Sequence, residues 1–132
     1  MTLRELQAKH NTGHGRTALN RELRAAQPGG SELLDSLADI ARFFAGRDQS
    51  AGEAAKVLNA VKLKLSKAAQ LFLAPPARQP PGTAELLESL ADVERFLAAG
   101  NADARAAANV LGAANLKLGK AADLLRKSLI SE

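Results

Sequence analysis

Apolar residues recur at three- and four-residue intervals along most of the chain, the spacing that lines one face of an α-helix. Over residues 32–46 the stripe is Leu33, Leu37, Ile40 and Phe44, widened by Leu34 and Ala41. A longer stretch follows, in which Ala51, Ala54, Leu58, Val61, Leu65, Ala68 and Phe72 alternate by threes and fours into a narrow seam. The pattern then begins again. Shifting the chain by 53 residues lays residues 32–46 on 85–99 and residues 51–72 on 104–125 without a gap, and more than half of the paired positions are identical. The second seam is Ala104, Ala107, Leu111, Ala114, Leu118, Ala121 and Leu125. A self-match of this length marks an internal duplication, and each copy reads as helix, short turn, helix.

Punctuation supports the same division. Pro28-Gly29-Gly30 precedes the first copy and Pro80-Pro81-Gly82 the second, with Ser31 and Thr83 as expected N-caps. Residues 46–50 and 100–103 supply turn residues and a cap for each second helix. The proline run between the copies excludes a continuous helix and reads as a semi-rigid connector. One hairpin cannot bury an apolar stripe on each arm by itself. The sequence therefore predicts an all-α protein: tandem duplicated helical hairpins forming a four-helix bundle over residues 30–132, with repeat 1 at 30–74, a Pro-rich connector at 75–82 and repeat 2 at 83–132. Exchange of hairpins between two chains satisfies the same pattern. Residues 1–29, broken by Gly13, Gly15, Pro28, Gly29 and Gly30, read as a flexible basic N-terminal tail in which only residues 17–26 could form a short helix.

Composition narrows the core chemistry. Four Phe supply all the aromatic content, so Leu, Ala, Val and Ile must fill the interior. Ala at many seam positions lets helix axes approach closely. The absence of cysteine removes disulfides, thiolate metal sites and a cysteine nucleophile. No apolar run approaches the roughly 20 residues that span a bilayer, and a cytoplasmic location is expected. The Ala, Leu, Arg and Gly bias fits a high-GC genome.

The net charge of +4 is unevenly placed. Residues 1–29 hold five basic and two acidic side chains, whereas residues 30–132 hold thirteen and twelve, so the duplicated part is nearly neutral. First helices are acidic and second helices basic, which matches the helix dipole at both ends. It also lets Glu32 and Asp35 pair with Lys64 or Lys67 across an antiparallel hairpin.

The chemistry-bearing residues are sparse. His10 and His14 stand four apart, but Gly13 and Gly15 disfavour a shared helix face and no third metal ligand is near in sequence. Serines such as Ser36, Ser66 and Ser89 have no histidine within residues 30–132 to serve as a base. The carboxylate pairs Asp35/Asp39 and Glu88/Asp92 flank the apolar stripe and read as solvated rather than metal-binding. All four Phe, namely Phe43, Phe44, Phe72 and Phe96, take core-like positions and leave no stacking platform for single-stranded nucleic acid.

Leu63 and its counterpart Leu116 fall opposite the seams. Lys56, Asn59, Lys64 and Lys67 share that side with Leu63, and Asn109, Gly112, Lys117 and Lys120 with Leu116. An outward leucine with a basic rim in both copies suits docking of an acidic, amphipathic partner. The expected function is that of a non-enzymatic interaction protein, an adaptor, regulator or assembly component that binds a protein partner or itself through Leu63, Leu116, Lys56, Lys64, Lys67, Lys117 and Lys120. It would use no cofactor, metal or small-molecule substrate, and a membrane is disfavoured. The alternative is nucleic-acid binding, with Arg4, Lys9, Arg16, Arg21 and Arg24 of the tail joining the lysines of the second helices.

Overall fold

A computed structural model describes residues 13–74, 79–100 and 103–130, with side chains described from Thr17 onward. The described residues form five α-helices and no strand: α1 (Gly13–Ala26), α2 (Gly30–Ala45), α3 (Ala51–Leu73), α4 (Thr83–Ala99) and α5 (Ala104–Ile130). Ala, Leu, Lys, Glu and Arg dominate them, residues that lose little on entering a helix. Their ends are set by specific devices. Ser50 caps α3 by accepting from the Glu53 amide at 3.3 Å, and Asp103 accepts from the Arg105 amide at 3.0 Å ahead of α5.

The helices pack so that the two long ones share the centre. α3 lies against α2, α4 and α5, while α5 lies against α4, α3, α2 and α1. The seam residues Ala54, Leu58, Val61, Leu65, Ala68 and Phe72 of α3 are buried, as are Ala107, Leu111, Ala114, Leu118, Ala121 and Leu125 of α5. Leu33 and Ile40 of α2 and Leu86 and Val93 of α4 close the same cluster from the sides. No described helix is long and apolar enough to cross a membrane.

Three expectations need correction. The flexible-tail assignment is corrected over residues 13–26: the short helix allowed for residues 17–26 begins at Gly13, and α1, fourteen residues long, is docked on α2 and α5. Leu19 and Leu23, four apart on one face, are fully buried there, and this burial outweighs the glycines that argued against order. Residues 1–12, with Arg4, Lys9 and His10, lie outside the described residues, as do the side chains of His14 and Arg16.

The N-caps are not Ser31 and Thr83. Gly29 and Gly82 take those positions, with φ of 89° and 91°. Their carbonyls accept from the amides of Leu33 and Leu86, both at 3.0 Å. Thr83 is the first residue of α4, and its hydroxyl donates back to the Pro80 carbonyl at 2.6 Å.

The apolar face of α2 is also rotated from the expected one. Phe43 is buried, whereas Phe44 is 38% exposed, its ring edge-on to that of Phe43 at 5.4 Å. Ala41 is exposed as well. Ser36 enters the core face instead, its hydroxyl donating to the Glu32 carbonyl at 2.9 Å.

Candidate docking surface

The amphipathic periodicity of α3 and α5 turns their seams inward, and the same periodicity pushes Leu63 and Leu116 out. Leu63 is 72% exposed and Leu116 75%, the two most exposed large apolar side chains among the described residues. Each stands on a ridge made by residues three and four apart: Lys56, Ala60, Leu63 and Lys67 on α3, and Asn109, Ala113, Leu116 and Lys120 on α5.

The lysines placed in the candidate site are held by neighbours rather than left open. Lys64 pairs with Asp39, Lys67 with Glu32 at 3.7 Å, and Lys56 with Glu53 at 3.2 Å. On α5, Lys117 pairs with Asp92 at 2.6 Å and Lys120 with Glu85 at 4.0 Å. Of the expected cross-helix pairs, Glu32 with Lys67 forms; Asp35 instead meets Arg24 of α1 at 2.9 Å. The solvated reading of the carboxylates is corrected for two of them. The Asp39 side chain is largely buried and accepts from both Arg42 and Lys64, while Asp92 accepts from Arg95 and Lys117. The hydrogen bond from Lys117 holds the Asp92 carboxyl below its ordinary value against the opposing effect of burial, with the charges of Lys117 and Arg95 adding to it.

Beside each ridge the helices leave an open cleft. In the first, of about 590 Å³, Asp39, Arg42 and Phe43 of α2 face Lys56, Val57 and Ala60 of α3. In the second, of about 400 Å³, Asp92, Arg95 and Phe96 of α4 face Asn109, Val110 and Ala113 of α5. Every one of the second set lies 53 positions beyond a member of the first. The first cleft is the more charged, since Arg47, Asp48 and Glu53 also line it. The neighbouring Ser50 donates to Asp48 and lowers the pKa of that exposed carboxyl.

These clefts escaped the sequence reading, although a signal existed. Asp39, Arg42 and Lys64 recur as Asp92, Arg95 and Lys117 with both charge signs kept, which a one-sided count of lysines hides. No described group of three or more His, Asp or Glu side chains is placed to hold a metal ion. Arg21 is exposed on α1, and Arg24 is engaged with Asp35. No family model, no curated protein and no solved structure matches the chain.

Proposed function

We propose that the protein is a non-enzymatic interaction scaffold, a tandem pair of helical hairpins forming a four-helix bundle that presents two equivalent docking ridges to a protein partner or to a second copy. The observation that carries this reading is the pair Leu63 and Leu116, each strongly exposed, each on the outer side of a long helix, and each beside a cleft whose lining recurs 53 positions later. Isolated exposed leucines are common, but two in corresponding places next to corresponding clefts suit bivalent recognition. Duplicated ion pairs, Asp39 with Lys64 and Asp92 with Lys117, support the hairpin pairing assumed here.

The ion pairs also rank the readings. Lys56, Lys64, Lys67, Lys117 and Lys120 each have an acidic neighbour, so their charge is largely balanced before any polyanion arrives. Nucleic-acid binding needs net phosphate neutralisation and is the weaker proposal. The test is Leu63→Asp with Leu116→Asp in the full chain. Helicity and melting should stay as they were, while self-association by light scattering, or capture of a partner, is lost; a chain that melts well below the parent refutes the outward reading. Passage through heparin at moderate salt without retention is expected, and salt-sensitive retention would favour the nucleic-acid alternative.

A further inference from the structure

The clefts beside the two ridges share a common centre. Asp39, Arg42, Phe43, Val57 and Ala60 of the first recur as Asp92, Arg95, Phe96, Val110 and Ala113 of the second, five identical residues, each 53 positions on. Two helices contribute to each set, and the hairpin fold brings them together twice.

At each centre one carboxylate serves two cations. Asp39 accepts from Arg42 on one oxygen and from Lys64 on the other, and Asp92 accepts from Arg95 and Lys117 in the same way. The aspartates are largely buried, whereas the arginine side chains are 74% and 77% exposed. One positive charge is therefore left over in each triad. The surroundings do not alter this balance. The first cleft adds two cations, Arg47 and Lys56, and two acids, Asp48 and Glu53; the corresponding Gly100, Asn109, Asn101 and Ala106 carry no charge. A guanidinium held by its own aspartate is oriented in advance, and it keeps further N–H groups for a second carboxylate. The apolar part of each lining is a Phe, a Val and an Ala.

We propose that each cleft takes one acidic, amphipathic segment of a partner protein, with an apolar side chain against the Phe, Val and Ala and a carboxylate on Arg42 or Arg95. The proposal rests on the reading of the outer helix faces as a docking surface and names the partner's chemistry there. A carboxylate matches the one unbalanced cation of each triad, and an apolar group matches the uncharged part of the lining. Arg42 and Arg95 are then the recognising cations, since the ridge lysines already have acidic neighbours. The chain binds two segments of the same kind.

The test is titration calorimetry of the full chain with a synthetic helical peptide whose leucines and glutamates stand four apart on one face. Two equivalents should bind per chain, and a peptide with glutamine in place of glutamate should bind about ten-fold more weakly. Arg42→Gln should remove one equivalent and Arg95→Gln the other, with helicity retained by circular dichroism. Should a variant lose its helices, the parent decides: equal binding of the two peptides overturns the proposal. So does a stoichiometry other than two, no binding of the glutamate peptide, or light scattering in which parent chains pair through these arginines. Leu63→Asp with Leu116→Asp separates the clefts from the ridges. Peptide lost through the leucines but indifferent to the arginines keeps the ridge reading and rejects the clefts; peptide held undiminished by the leucine variant does the reverse.

Discussion

Gly29 and Gly82 show how much one residue can decide here. Both hold left-handed backbone, and a Cβ would meet the Phe72 ring at 2.8 Å in one case and the Ala121 Cα at 2.9 Å in the other. Substitution by alanine should cost about 1–3 kcal/mol at each. Gly82→Ala should be the worse of the two in urea unfolding, because the obstructing atom is backbone rather than the edge of a ring. Two buried serines offer a contrast. Ser36 donates to the Glu32 carbonyl, whereas Ser89 leaves its hydroxyl without a hydrogen-bond partner. Ser36→Ala should lose about 0.5–1.5 kcal/mol, while Ser89→Ala should be neutral or stabilising in the same assay. Asp92 brings in pH. Its carboxyl titrates below the unfolded value of about 3.9, so its stabilisation is complete above that value and is lost as pH falls through the folded pKa. Asp92→Asn should therefore melt lower than the parent at neutral pH, the gap closing under acid conditions.

Among the helices, position on the wheel sets the cost of a change. Leu58 and Leu63 lie five residues apart on α3, one fully buried and the other exposed. Leu58→Ala should destabilise by about 2–5 kcal/mol, since it leaves a cavity between α3 and its neighbours. Leu63→Ala should stay within about 0.5 kcal/mol, as measured by denaturant midpoint. The long-helix seams were legible in the sequence because helical periodicity is local and both long stretches, residues 51–72 and 104–125, spell it out. The face of α2 was less so: Leu34, Leu37, Phe43 and Phe44 make a broad apolar arc, and packing into the shared core cluster took Phe43 and left Phe44 at the surface. Neither was the docking of α1 legible, because Leu19 and Leu23 are too few to stand out beside Gly13 and Gly15.

At the scale of the molecule, two long helices meet at the centre and the shorter ones flank them, so the outer sides of α3 and α5 remain open. Both candidate ridges follow from that arrangement, as do the clefts beside them. Cross-helix ion pairs between residues 25 apart, Asp39 with Lys64 and Asp92 with Lys117, tie each short helix to the long one that follows it. Such partly exposed pairs contribute modestly, up to about 1 kcal/mol each. They also turn an apparently basic face into a balanced one. The exposed leucines were readable from spacing alone, whereas the pairing of the lysines was readable only as a set of possible partners.

Sequence alone determined the helical class, the inward seams of α3 and α5 and the outward leucines, since each depends on residues within a few turns of one another. Tertiary structure decided which acid meets which base, that glycine rather than serine or threonine takes the N-cap of α2 and α4, and that α1 is docked. Those outcomes depend on surfaces brought together from distant parts of the chain: Asn20 finds Arg126 and Gly82 finds Ala121 only once the long helices have packed.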